Sequence, residues 1–598
     1  MQLYIKLNIN HILIKSMVKI KLLLLALLFV TIPNFLWAYT KDKVVTFGEL
    51  SYKVLVADGT PGVQPTLMFV GTTKTGHVDI PAIVNDGNGI TFRVTEIGAE
   101  GDYNCKDVES VTMPESIVKI NDGSFSDSKI TKIDIPKNVA TIETNAWIKM
   151  SKNPECHVAP ENLNFESDEN GVLYTKDKKE LRTVPYNIMC KVSGDTYTVN
   201  TAVKYITKGA FRDSENLKKI KLPTTLEKVD DFWPTIASTS TLEAFVMDGV
   251  GTNFQVVEGV LFTKGPNRLI RYPHAKNQAT YTVPAKVTEI AGNGFSGTPS
   301  LTEINLNEVT KVDVSAIANV PNLKKITLPK NLKKDGLAQG AFENCPKLEA
   351  YDVAPGNPDF SAENGVLFST DKKILYFYPI GKKDESYTIP NTVEEIGERA
   401  FQGASRMTSL VIPTNVKRIK GQAFRQNYNL SSVEFKEPSK LTELGNYAFW
   451  TCPKLKEVTL PSSIDKIGKS FVNCDILETI NVPNGSKIET IEEDAFKSNK
   501  KLKNFKFKGT CPLKTIKANA FQDLENFETF NFPKTVTNIE RNAFTGCKNM
   551  KTVTFDENAD IDKIGEGAFA DCGLTTISLP EKVKEIEKEA FLKCKALE

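Results

Sequence analysis

Hydrophobic positions recur along this chain with a period too long for a single helix or strand. Ala-Phe pairs end at Phe401, Phe424, Phe449, Phe496, Phe521, Phe544, Phe569 and Phe591, and Ser470-Phe471 completes the series. Successive phenylalanines are 23, 25, 22, 25, 25, 23, 25 and 22 residues apart. A repeat of this length is the mark of stacked supersecondary units. Each interval holds a run such as Leu455-Lys-Glu-Val458-Thr-Leu460-Pro461, whose alternation predicts a short strand with one face inward, ended by proline. A shorter run follows, such as Ile464-Asp-Lys-Ile467-Gly468. The units recur as Leu477, Ile480, Val482, Pro483 with Ile488 and Ile491, and as Leu574, Ile577, Leu579, Pro580 with Val583 and Ile586. Looser versions surround Phe125, Trp147, Phe211, Phe295 and Phe342, so about fourteen turns of 22–25 residues are visible. No turn buries its own inward residues; stacking on the next turn closes the core, with phenylalanine behind a small alanine as the plug. The predicted fold class is a β-rich repeat solenoid over residues 93–598, less regular to 390 and regular from 391.

Two departures from the repeat define the remaining organisation. Residues 39–92 lack it; Val44–Phe47, Tyr52–Val56 and Leu67–Val70 predict strands between Gly/Pro turns, which suits a β-rich cap over the first coil better than a separate binding module. A second motif occurs three times, as Gly171-Val-Leu-Tyr174, Gly259-Val-Leu-Phe262 and Gly365-Val-Leu-Phe368. Leucine follows each glycine at +10 (Leu181, Leu269, Leu375) and proline at +14 (Pro185, Pro273, Pro379). Two strand-like runs around a turn such as Lys176-Asp-Lys-Lys179 predict a hairpin insert, a structural elaboration rather than a ligand-gripping protrusion.

Length and charge narrow the class. The 598 residues exceed one compact core. Residues 1–38 carry four lysines and no acids, then an apolar run from Ile20 to Val30 broken only by Lys21, then Phe35-Leu-Trp-Ala38. That order predicts a secretory signal cleaved after Ala38, with Met17 as an alternative start; Pro33 and Asn34 interrupt the apolar stretch before it reaches a membrane span of ~20 residues, so no transmembrane span is expected after cleavage. With 75 basic and 73 acidic residues in all, the remainder has 71 against 73, a charge of −2, which disfavours nucleic-acid binding.

Catalytic and metal chemistry finds little purchase. Three histidines lie beyond the leader, none in a nucleophile context, and Gly-x-Ser-x-Gly, HExxH, Walker and CxxC patterns are absent. The clusters Glu166-Ser-Asp168-Glu169-Asn170 and Asp556-Glu557-Asn558-Ala-Asp560 lack EF-hand spacing and predict solvated turns. Cys345, Cys452, Cys474, Cys547, Cys572 and Cys594 each lie three residues after a repeat phenylalanine, where Asn499 and Leu524 also occur. That placement predicts a reduced, buried ladder rather than a disulfide framework. No catalytic, cofactor or metal residue is assigned, and a non-enzyme is expected.

The unit Leu-x-x-Ile-x-Leu-Pro, then Val-x-x-Ile-Gly, then Ala-Phe-x-x-Cys resembles the repeat of the BspA-like leucine-rich-repeat surface proteins of bacteria, over roughly residues 93–598. The resemblance implies a leucine-rich-repeat solenoid displayed outside the cell, often as an adhesin for host or neighbouring-cell proteins. On such strands the residues flanking the middle apolar position face outward and line up between coils. They are Glu457 and Thr459, Thr479 and Asn481, Asn504 and Lys506, Thr529 and Asn531, Thr552 and Thr554, Thr576 and Ser578. This polar face is the candidate binding surface, although threonine also favours exposed strands for conformational reasons. The sequence thus predicts a secreted or cell-surface protein without cofactor that binds extracellular proteins. A glycan-binding or glycan-processing envelope protein and a passive spacer are the alternatives.

Overall fold

A computed structural model describes residues 39–597 apart from 58–62, 193, 231–239, 266, 498, 557 and 560; the expected signal segment lies outside the described residues. The chain divides into two compact units. One comprises residues up to 193 with 202–215 and 228–239; the other comprises 194–201, 216–227 and 240–598. Both are β-solenoids with almost no helix, making about 22 turns among the described residues.

The regular turns of the second unit carry three edges. A strand of three or four residues forms the first parallel ladder, as in Glu457–Thr459, Thr479–Val482, Asn504–Phe507, Thr529–Phe532 and Thr552–Phe555. A two-residue strand forms the second, as in Lys466–Ile467, Thr490–Ile491, Thr515–Ile516, Asn538–Ile539 and Lys563–Ile564. The third edge holds the phenylalanine. There the backbone enters the left-handed region two residues before the ring (Asn519, Asn542, Gly567) and two after it (Asp523, Gly546, Asp571). These bends turn three amides along the solenoid axis, so that Asn519, Phe521 and Asp523 donate to the carbonyls of Arg541, Ala543 and Thr545 in the next turn. Asn, Asp and Gly suit those bends because they tolerate positive φ.

The rings stack along the axis. Phe401, Phe424, Phe449 and Phe471 succeed one another at 5.0, 5.0 and 5.1 Å, and Phe521, Phe544 and Phe569 at 5.0 and 5.3 Å with interplanar angles of 5°. All are buried, and the ladders' inward residues, such as Val458, Ile467 and Ile480, complete the same core. Three residues after the ring, the thiols of Cys452, Cys474, Cys547 and Cys572 donate to the carbonyls of Phe424, Phe449, Phe521 and Phe544 one turn back. Asn427 does the same to Phe401 at 2.9 Å. A small polar side chain here adds a hydrogen bond from the following turn to each ring residue's buried carbonyl. All ten cysteines are free, and only Cys190 is exposed. Burial pushes the thiols of Cys345 and Cys452 up to about 12, so they remain protonated donors at neutral pH.

Two features account for four of the turns beyond the fourteen visible in the sequence. Ile317 replaces phenylalanine in one turn, behind Ala316 and between left-handed Ser315 and Asn319, and donates to the Ala341 carbonyl as a repeat phenylalanine does. Each insert also ends as a turn: Val184, Tyr272 and Tyr378 occupy the ring position and donate to Ala210, Gly294 and Ala400. The inserts are three-stranded antiparallel meanders, one strand longer than the expected hairpin, as in Phe360–Glu363, Val366–Ser369 and Ile374–Phe377. Their third strands start new stretches of the second ladder. The motif glycine is required by contact. Gly365 has φ +80°, its carbonyl takes the Tyr351 amide at 2.9 Å, and a Cβ there would lie 2.9 Å from the Glu349 carbonyl oxygen.

In the first unit, Val44–Phe47, Leu50–Val56 and Thr66–Thr72 form strands of one sheet with Thr91–Ile97, Lys119–Ile120 and Thr141–Ile142. Thr66–Thr72 pairs with Thr91–Ile97 in parallel, so the second ladder begins inside the N-terminal segment.

Removing one ring of the stack leaves a cavity facing two turns. Phe521→Ala is expected to destabilise the second unit by ~3–5 kcal/mol in a denaturant titration. Iodoacetamide applied to the folded protein should modify Cys190 first and leave Cys345, Cys452, Cys474 and Cys547 intact, by peptide mass spectrometry; the four should react once the chain is unfolded.

Candidate interaction face

The first ladder of the second unit sets the candidate residues in register. Glu457 pairs with Thr479, Thr479 with Asn504, Asn504 with Thr529, and Thr529 with Thr552, giving one row. The second row runs Thr459, Asn481, Lys506, then resumes as Asn531 and Thr554; the register is lost between Lys506 and Asn531, where a single residue pair joins the strands. Parallel strands set neighbours ~4.8 Å apart, within hydrogen-bond reach of short polar side chains. The Thr554 hydroxyl donates to Asn531 Oδ1 at 2.7 Å, the Thr552 hydroxyl to the Thr529 hydroxyl at 3.5 Å, and the Asn481 amide to Glu457 Oε1 at 2.5 Å.

Most of these residues are exposed or half-buried, with two departures from the sequence expectation. Asn481 is 2% exposed; its amide lies under Glu457, so it supports the face rather than presenting it. Thr576 and Ser578 are exposed but belong to no strand, because the last turn does not join the first ladder. The face carries only Glu457 and Lys506 as charges. Glu478, beside it, lies between Lys456 at 3.8 Å and Lys503 at 3.7 Å. The corresponding face nearer the insert turns is ion-paired instead, through Lys219–Asp195 at 2.8 Å and Lys325–Asp352 at 2.5 Å.

Among the described residues no group of three His, Cys, Asp or Glu side chains is placed to hold a metal ion. The acidic clusters cap turns: Asp168 Oδ1 accepts the Asn170 and Val172 amides, and Asp556 Oδ1 accepts that of Asn558; Glu557 and Asp560 lie outside the described residues. One polar constellation escaped the sequence, because its members sit on separate strands. His77 Nδ1 is 2.8 Å from the Ser110 hydroxyl, and Nε2 is 3.2 Å from Asp79 and 3.1 Å from the Thr112 hydroxyl. His77 and Asp79 are 51% and 79% exposed. Water reaches every member, and Asp79 and Thr112 both contact Nε2, so the cluster has the character of a cross-strand polar contact rather than an activated nucleophile.

Three hydrogen-bonded edges around a phenylalanine core, repeated every 22–25 residues, define a leucine-rich-repeat solenoid. The profile of the BspA type leucine rich repeat region matches residues 88–169, 175–248, 273–362, 376–503 and 469–598, and the chain belongs to that family. Among solved structures it is similar to a leucine-rich repeat protein from Eubacterium ventriosum, at 19% identity and TM-score 0.43 over 70% of this chain and 95% of that one. It is also similar to a leucine rich cell surface protein from Faecalibacterium prausnitzii, at 19% identity and TM-score 0.33 over 79% and 96%. A third is a leucine-rich repeat protein from Bacteroides ovatus, at 19% identity and TM-score 0.37 over 72% and 97%. No curated protein sequence matches significantly. No helix among the described residues is long and apolar enough to cross a membrane.

The Asn481–Glu457 contact makes a specific demand. Glu457→Ala strips the buried amide of its acceptor and should destabilise the second unit by about 1–3 kcal/mol, whereas Glu457→Gln, which keeps a carbonyl oxygen, should lose less. Urea midpoints of the two variants measure the difference.

Proposed function

We propose that this protein is an exported, non-enzymatic surface protein that attaches to extracellular proteins of a host or neighbouring cell through the two polar rows of its C-terminal strand face. The observation that carries the reading is the preorganisation of those rows. Their side chains are held to one another from turn to turn on a backbone fixed by parallel pairing, so little ordering entropy is lost on contact. Membership of a surface-protein family supports display outside the cell, as does the basic and then apolar order of residues 1–38. The near-neutral face favours protein partners recognised by shape and hydrogen bonds over polyanions.

The test is surface plasmon resonance of the purified protein over immobilised extracellular-matrix and cell-surface glycoproteins. At least one is expected to bind, and replacing Thr459, Thr529, Asn531 and Thr554 together by lysine should weaken that binding at least about tenfold, with the melting temperature nearly unchanged. Binding indifferent to the four substitutions would move the site elsewhere. Absence of any binding, together with turnover of a glycan, would reverse the assignment.

A further inference from the structure

Both ladders of the second unit stop at the same place. Ser386–Thr388, Ser409–Ile412 and Ser432–Phe435 share one sheet, and Glu457–Thr459 opens the next; the short-strand sheet ends at Glu443–Leu444 and resumes at Lys466–Ile467. The phenylalanine edge does not part there. Tyr447, Phe449 and Thr451 still donate to the carbonyls of Lys469, Ser470 and Val472 at 2.7, 2.8 and 3.0 Å. Turns pinned on one edge and separated on another leave a half-open cleft of about 590 Å³, within the ~300–1,000 Å³ of small-ligand sites.

The chemistry of its walls is unusual for a gap between repeats. Three carboxylates, Glu443, Glu492 and Glu493, face three ammoniums, Lys466, Lys469 and Lys517, so the cleft has no net charge. Glu492 pairs with Lys517 at 2.7 Å, Lys469 with Asp494 at 2.8 Å and Glu443 with Lys420 at 3.2 Å. Lys466, Glu493 and the side chain of Asn446 make no hydrogen bond or ion pair with any described residue. In an earlier turn, the leading residues of consecutive short strands pair across the ladder, Glu395 with Arg418 at 2.6 Å. Glu443 and Lys466 are leading residues of opposite charge too, yet they do not pair with each other across the cleft, Glu443 turning to Lys420 instead.

A strained aromatic platform adjoins it. Two residues before the ring, where other turns use Asn519, Asn542, Asp494, Gly567, Arg399, Gln422 or Glu589 at positive φ, this turn uses the aromatic Tyr447 at φ 60°; two residues after the ring it uses the β-branched Thr451 at φ 58°. A bulky and a β-branched residue in the left-handed region both run against backbone preference, and such outliers gather at ligand clamps. Tyr447 follows Asn446 of the cleft wall and is 37% exposed. Its ring rests on Trp450 at 5.6 Å, and the Arg425 guanidinium backs Trp450 at 4.2 Å, held by Gln422 Oε1 at 2.9 Å. Trp450 and Arg425 thus pack behind the Tyr447 ring.

We infer that this cleft is a binding site for a neutral glycan chain. A polyhydroxyl ligand both donates and accepts at each hydroxyl, which matches the idle ammonium of Lys466, carboxylate of Glu493 and amide of Asn446. The C–H face of a pyranose ring, slightly positive, suits the negative face of Tyr447. A peptide would need apolar pockets for anchoring side chains, and Leu444 is the sole large apolar residue lining the cleft. The balanced charge removes selection for acidic or basic polymers. This site is separate from the strand face, so the two assignments succeed or fail independently.

Saturation-transfer NMR of the purified protein with cellohexaose, xylohexaose, mannohexaose and chitohexaose at millimolar concentration tests the inference. At least one should bind, and Tyr447→Asn, as well as Lys466→Ala with Glu493→Gln, should weaken it at least about tenfold. The Tyr447→Asn variant installs the residue that the turns of Asn519 and Asn542 use at positive φ, so its melting temperature should equal or exceed that of the parent, separating lost binding from lost folding. Substitutions in the rows of Thr529 and Thr552 should leave the oligosaccharide affinity unchanged. The inference is overturned if no hexasaccharide binds, if binding persists in both cleft variants, or if Tyr447→Asn unfolds the protein while the double variant binds normally.

Discussion

The structure depends on burial that no turn achieves alone. A single turn of this chain offers one phenylalanine, a few branched aliphatics and three short backbone stretches with unpaired amides. Its apolar surface and its hydrogen-bonding groups are both completed by the turn that follows. The ring of Phe521 stacks on Phe544 while its amide donates to Ala543, so packing and backbone pairing advance together along the axis. Stability in such an array is close to a sum of neighbour terms, and the left-handed residues beside each ring are what allow the third edge to pair at all.

Because the interior is committed to that function, chemistry is confined to the outside, and the edges differ in what they present. On the first ladder of the second unit short hydroxyls and amides bond along the axis; on the short-strand side many exposed residues form ion pairs between turns, such as Lys417 with Glu394 and Lys514 with Glu489. Exposed pairs of that kind add little stability individually. Against that background the unpaired Lys466 and Glu493 border the cleft, beside Tyr447, an aromatic residue at a left-handed position that other turns fill with Asn, Asp, Gly, Arg, Gln or Glu.

Much of the fold was legible from spacing, because the ring position tolerates few residue types and recurs without large insertions after residue 391. The family followed from the same unit. What stayed hidden had physical causes. Ile317, Val184, Tyr272 and Tyr378 occupy the ring position with a different side chain, and only the amide bonds to the next turn disclose them. The insert's first strand begins at a buried asparagine: Asn357 donates to the Pro329 and Leu332 carbonyls and accepts the Asp359 and Phe360 amides, a role that residue type alone does not advertise. Alternation predicts outward residues on the strands, yet Asn481 is covered by Glu457, since a long neighbour one turn away screens a short one. The cleft was invisible because it arises where two ladders lose register while a third keeps it, a property of pairing rather than of any motif.

Hydrogen–deuterium exchange resolved to single amides tests the central claim most directly. If turns share one continuous apolar spine, the amides of Phe401, Phe424, Phe521 and Phe544, which lie in turn-like segments outside the strands, should exchange as slowly as those of the parallel ladders and open together with adjacent turns. Rapid exchange at these amides, or opening of each unit of about 25 residues independently of its neighbours, would contradict the account.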